Sequence, residues 1–202
     1  MALYSLRGYK VALVPLLVTH ADALVAAAED GELWASGLTD IPRRDTVHAY
    51  IDAALAGQRA GMIEPFVTTL CETGRVIGTT RFRQIDIANR KREIGFTWIS
   101  RPWQGSFVNA EAKYLMLRYA FEHADCVRVQ LQTDALNAQS RAAILKLGAK
   151  FEGITRNERI MADGRIRDSA QFSIVGSEWP GVRAQLETRL AGLGVTPHFE
   201  VV

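Results

Sequence analysis

Hydrophobic and polar positions in this chain fall into three patterns: short apolar runs, strict alternation, and recurrence every three to four residues. "VALVPLL" (11–17) is an apolar run of strand length. "THADALVAAAED" follows with capping-type residues, Thr19 and Asp22, ahead of an apolar helical face. "GELWASGLTDIPRR" (31–44) has no period and reads as a loop. Asp45 is placed to cap a second helix, with Val47, Tyr50, Ile51, Ala54 and Leu55 on one stripe. "PFVTTLCE", the turn "TGR" and "VIGTTRFRQI" predict an antiparallel hairpin, and "EIGFTWIS" a further strand. In "RPWQGSFVNAEAKYLMLRYAF" (101–121), Val108, Ala112, Leu115, Met116 and Tyr119 share a helical face. "VRVQLQT" alternates as a strand does, and "NAQSRAAILKLGA" is a short helix stopped by Gly148. "KFEGITRNERIM" and "IRDSAQFSIV" form a closing hairpin around "ADGR", before a last helix near "SEWPGVRAQLETRL".

No repeat, low-complexity tract or composition break interrupts this order. Residues 1–202 are therefore expected to form a single mixed α/β domain with a central sheet, and 191–202 a loosely held tail. Composition changes this picture little. The hydrophobic share of 48% and charged share of 23% are those of an ordinary globular chain. A net charge of +2, with "IPRR" and "ANRKR" as short solvated clusters, argues against a nucleic-acid partner. No apolar stretch is long enough to cross a membrane, and "MALYSLRGYK" lacks a signal peptide's apolar core, so a cytoplasmic protein is expected. Cys71 and Cys126 each lie in apolar runs and read as buried thiols. His20, His48, His123 and His198 form no metal-ligand spacing, and no metal is expected.

Chemistry enters at the turn between "EIGFTWIS" and the helix after it. The first N–H groups of a helix have no internal partner and carry the positive end of its dipole, so they can hold an anionic phosphate. Gln104 to Asn109 supply those groups, and Gly105 allows close approach to the backbone. A plain strand–helix connection explains the turn equally well. It is neither a Walker motif nor a dinucleotide fingerprint.

The pairing of "EIGFTWISRPWQGSFVNAEAKYLMLRYAF" with "TDALNAQSRAAILKLGAKFEG" is more specific, and "ADGRIRDSAQFSIVGSEWPGVRAQLE" agrees with it. Together these resemble the GNAT N-acetyltransferase superfamily, in particular its RimJ/RimL-like branch, which includes ribosomal-protein alanine N-acetyltransferases. The resemblance implies a mostly antiparallel sheet with a splayed strand pair, flanked by helices. It also implies acetyl-CoA as donor and a primary amine acceptor, either a protein N-terminus or a small amine. A homodimer is a further expectation from the family. Two rivals stand beside this one: an acyltransferase using another acyl-CoA such as succinyl-CoA, and a non-catalytic CoA-binding module.

The resemblance places the pyrophosphate cradle on Gln104, Gly105, Ser106, Phe107, Val108 and Asn109, although many relatives have glycines where this chain has Phe107 and Asn109. It pairs the pantetheine arm with the strand end at Trp98 and Ile99. Asn137 would hold the cofactor near its thioester, or act only as an N-cap. Ser140 would protonate the departing thiolate, or serve the helix start. Glu93 is the candidate general base, with an exposed ion pair as the alternative. Glu111 reads as a partner of the helix dipole. The acceptor is expected between the loops 31–44 and 157–165, with Trp34 in the first of them.

Overall fold

The computed structural model describes residues 3–37, 39–161 and 163–202. Among these residues one sheet has nine strands: β1 (Leu6–Arg7), β2 (Val11–Pro15), β3 (Glu64–Leu70), β4 (Val76–Asp86), β5 (Lys91–Ile99), β6 (Arg128–Asp134), β7 (Lys150–Ile160), β8 (Ile166–Val175) and β9 (Glu200–Val201). Their order is β7-β8-β6-β5-β4-β3-β2-β1-β9. Only β5 and β6 pair in parallel, and the remaining neighbours are antiparallel.

Parallel pairing joins Lys91–Ile94 to Arg128–Leu131 and then stops. The cause lies in β5. Its register against β4 shifts between Gly95 and Trp98, and Phe96 adopts φ +49°. Such a bulge bends its strand away from a neighbour. Beyond Ile94 the two strands therefore part, giving the expected splayed pair. Gly78 makes the opposite side of this bend possible, since a Cβ there would lie 2.1 Å from the Trp98 carbonyl oxygen.

Among the described residues five α-helices flank the sheet: α1 (Ala21–Glu29), α2 (Val47–Arg59), α3 (Phe107–Arg118), α4 (Ala138–Leu145) and α5 (Trp179–Gly192). On one face α3 and α5 bury Leu115, Met116, Leu186 and Leu190 against Leu13, Phe66, Phe82, Ile94 and Leu131. On the other, α1 and α2 pack Leu24, Val25, Val47, Ile51 and Ala54 onto Val67 and Trp98. Each such buried side chain contributes roughly 1.5–3 kcal/mol, so these two layers decide how the sheet is held.

Several local expectations shift. His20, not Thr19, precedes α1, and its Nδ1 accepts from Leu17 N at 3.0 Å. Thr46, not Asp45, is the residue before α2, its hydroxyl engaged with Arg43 N. Strand β7 runs on to Ile160, so Asn157, expected in a loop, sits in the strand with φ +51° and donates its N–H to Asp168 Oδ1 at 2.8 Å. In the connecting turn, Ala162 lies outside the described residues.

The segment 191–202 is not loose. Val195 is buried, and Phe199 packs 5.1 Å from the His123 ring under the Arg118 guanidinium. Strand β9 pairs with β1, with Ser5 and Val202 exchanging backbone hydrogen bonds of 2.7 and 3.0 Å. The pairing satisfies an edge that β1 would otherwise expose.

The core takes in a lysine. Lys113 of α3 is buried beneath the sheet and donates to Thr97 Oγ1 at 2.5 Å and Thr80 Oγ1 at 3.2 Å. Burial pushes its pKa down from 10.5 to about 7. Between those values the unfolded chain binds a proton that the folded chain releases, so stability rises with pH through this window. The two threonines also hydrogen-bond each other at 2.8 Å, so Lys113→Met leaves neither stranded. That variant should be more stable than wild type at pH 6.5 by on the order of 1 kcal/mol, with the gap closing towards pH 10. Urea titrations at several pH values measure it, and a gap independent of pH would refute it.

Candidate functional site

A parallel pair brings the C-terminal ends of its two strands to the same edge of the sheet, where open α/β sheets place ligands. Here those ends lead into the two segments singled out in the sequence. From β5 the chain enters a single turn of 3₁₀ helix, Arg101–Trp103, in which Gln104 N donates to Arg101 O at 3.1 Å. The Gln104 side chain closes the turn by donating to Ile99 O at 2.9 Å. Gly105 follows at φ +74°, and a Cβ there would meet no protein atom within 4 Å.

Ser106 then caps α3. Its hydroxyl donates to Trp103 O at 2.7 Å and accepts from Val108 N at 3.3 Å. Among the described residues the N–H groups of Gly105, Phe107 and Asn109 have no protein acceptor. Gly105 borders open space at the positive end of a 12-residue helix. The Lys10 ammonium, 5.0 Å from the Phe107 ring centroid, adds a cation beside them. It comes from the β1–β2 turn, and no local signal marks it in the sequence. These groups fit a phosphate, while Gln104 N and Val108 N are already engaged within the turn.

Trp98 and Ile99 bond to β4 on one side, opposite Thr79 and Gly78, while their other side faces the gap left by β6. The Trp98 side chain points away from the α3 layer, into the α1–α2 layer, with Nε1 3.4 Å from Tyr50 Oη. At the end of β6, Asn137 caps α4: Oδ1 accepts from Ser140 N at 2.9 Å. The Ser140 hydroxyl is half-buried and makes no hydrogen bond among the described residues.

The structure decides against one reading of each of two glutamates. Glu93 is not exposed: it is buried on β5, one residue before the strands part. Burial pushes its carboxyl up, while Arg83, with Nη1 3.5 Å away, pulls it back. A carboxylate raised in this way is better matched to taking a proton near neutrality. Glu111 is no partner of the helix dipole. It lies beyond the first turn of α3, buried, and Oε1 accepts from Tyr9 N at 2.6 Å and Lys10 N at 3.0 Å. A cavity of about 580 Å³ opens by Glu93, lined by Gln84, Asp86, Lys91, Arg128 and Gln130. It sits at the N-terminal ends of β5 and β6, away from the α3 turn.

The sequence model of the acetyltransferase (GNAT) domain family matches residues 10–150. The chain belongs to the GNAT family. Among curated GNAT relatives, the uncharacterized N-acetyltransferase p20 of Bacillus licheniformis is 30% identical over 144 residues, which is 71% of this chain and 78% of that protein. YdaF of Bacillus subtilis, whose name places it provisionally among ribosomal N-acetyltransferases, is 31% identical over 54% of this chain and 58% of its own length. Among solved structures, a GCN5-related N-acetyltransferase from Brucella melitensis superposes with a TM-score of 0.82 at 30% identity, covering 91% of this chain and 84% of that one. Mycobacterium smegmatis RimJ, solved with CoA-disulfide, shares the fold at 20% identity with a TM-score of 0.80, covering 96% and 97%. As a GNAT protein the chain is an acyl-CoA-dependent acyltransferase.

Proposed function

We propose that the chain transfers acetyl from acetyl-CoA to a primary amine, on a protein N-terminus or a small molecule. The observation that carries this is the gap between β5 and β6, which opens onto the free N–H groups of Gly105, Phe107 and Asn109. When bound, acetyl-CoA supplies an acetyl group activated as a thioester. Within Gln104 to Asn109 the free N–H groups of Gly105, Phe107 and Asn109 hold its phosphates, with Lys10 adding charge. The open edge of Trp98 and Ile99 carries the pantetheine arm as an additional strand would, and Asn137 orients the end of that arm. Glu93 takes the proton of the attacking amine, directly or through water. The Ser140 hydroxyl, which no group among the described residues engages, delivers a proton to the departing sulfur. Direct attack suits the site, because neither cysteine is activated: burial pushes both the Cys71 and Cys126 thiols up. A protein N-terminus as acceptor draws support from the name of YdaF and from the RimJ-like motifs. We place the reaction in the cytoplasm, where these thiols stay reduced.

Thiol release over a panel of peptides and amines, with calorimetry of acetyl-CoA binding, tests the reading. Absence of binding at millimolar acetyl-CoA would overturn it. Ser140→Ala should lower kcat at least about tenfold while leaving the acetyl-CoA Kd near wild type. An unchanged kcat would remove Ser140 from its role.

A further inference from the structure

The bulge of β5 is fastened from the α3 side by a single buried amine. In the pairing with β4, Thr79 stands opposite Trp98 and Arg81 opposite Gly95. Thr80 is therefore left facing both Phe96 and Thr97, the arrangement that defines a bulge. Lys113 reaches both sides of it at once. Its Nζ donates to Thr80 Oγ1 on β4 at 3.2 Å and to Thr97 Oγ1 on β5 at 2.5 Å. The two hydroxyls lie 2.8 Å apart, which closes a ring of hydrogen bonds around the irregularity. On the opposite face Thr79 Oγ1 donates to Phe96 O at 3.1 Å.

Stability alone does not account for this fastening. Phe96 sits at φ +49°, a strained conformation for a bulky side chain. Lys113 is 5% exposed, and among the described residues no carboxylate pairs with it. Hydrogen bonds to two neutral hydroxyls return less than the desolvation of an ammonium takes away. Burial accordingly lowers its pKa to about 7, and the neutral amine still keeps an N–H group for each threonine. Backbone strain and buried polarity that the core does not need point to a function.

That function is visible beside the bulge. Strands β5 and β6 pair as far as Ile94 and Leu131 and no further. Without the bulge β5 would continue straight, and the backbone groups of Trp98 and Ile99 would turn into regular pairing with β6. The gap would then close along the edge that carries the pantetheine arm. Lys113 also belongs to α3, whose first turn supplies the phosphate-binding N–H groups, so one helix holds both parts of the cofactor site in register.

We infer that Lys113 is a positioning residue that locks the β5 bulge and so keeps the β5–β6 gap open for the pantetheine arm of the acyl-CoA. The inference rests on the acyltransferase reading and assigns to that site a residue buried behind it.

Calorimetry with two probes tests it: acetyl-CoA, which carries the arm, and 3′-phospho-ADP, which carries the phosphates without it. Lys113→Met should raise the acetyl-CoA Kd at least about tenfold, with the 3′-phospho-ADP Kd within about twofold of wild type. Thr97→Val, which removes the hydroxyl from the bulge, should reproduce this split. Thr97→Ser, which keeps the hydroxyl, should bind acetyl-CoA as the wild type does, and this pair serves if Lys113→Met does not fold. An acetyl-CoA Kd unchanged in both Lys113→Met and Thr97→Val, or an equal loss for both probes, overturns the role of Lys113 alone. Failure of the wild type to bind acetyl-CoA overturns this inference together with the acyltransferase reading.

Discussion

Glu111→Ala is expected to lower the free energy of unfolding by about 3 kcal/mol, the scale of two hydrogen bonds to a charged acceptor. The glutamate is buried in α3, yet its Oε1 accepts from Tyr9 N and Lys10 N in the β1–β2 turn. Removing it strands two backbone donors in a region that no other acceptor reaches among the described residues. The turn is shaped around this contact, since a Cβ on Gly8 would lie 2.4 Å from Oε1. A residue that merely complemented the helix dipole would cost 0.3–1 kcal/mol on an order-of-magnitude scale (about 0.5) when lost. Urea unfolding of the variant decides between the two, and a loss well under 1 kcal/mol (roughly the dipole value) would contradict the anchoring role. Lys10 leaves the side of Phe107 if the turn loosens, so weaker acetyl-CoA binding should accompany the loss of stability.

Gly105→Val should act in the opposite way, sparing the fold and damaging cofactor binding. A Cβ at this position meets no protein atom, so no core contact is crowded. The backbone, however, sits at φ +74°, where a β-branched residue is strained by about 1–3 kcal/mol. The turn relieves that strain by swinging towards negative φ, and the N–H groups from Gly105 to Phe107 then lose their common aim. The side chain would also occupy the space that a phosphate needs. Calorimetry should show the acetyl-CoA Kd raised by on the order of tenfold or more, with Tm nearly unchanged. A wild-type Kd would refute the cradle, and a large fall in Tm would show that the turn serves the fold instead.

Where an element depends on its own residues, the sequence by itself determined it. The stripe in "VNAEAKYLMLRY", the alternation in "VRVQLQT" and the stop at Gly148 are local, and each produces the expected helix, strand or helix end. The strand–glycine–helix turn and the Asn137 cap are local as well, because each is closed by hydrogen bonds spanning five residues or fewer. Their pairing in one chain was enough for the family.

Only the tertiary structure decided which groups lose water, since that depends on segments distant along the chain. Glu111 meets partners 101 and 102 positions away, and so changes from a surface charge on a helix into an anchor. Glu93 reads in sequence as either a general base or an exposed ion pair, and β4 on one side and β6 on the other decide against exposure. The last residues look unheld until β1 presents them an edge. Arg81 is one arginine of a strand until Tyr50 and Phe96 close over it and bury its guanidinium. Desolvation is collective, arising where several strands and helices converge, and no window of sequence contains it.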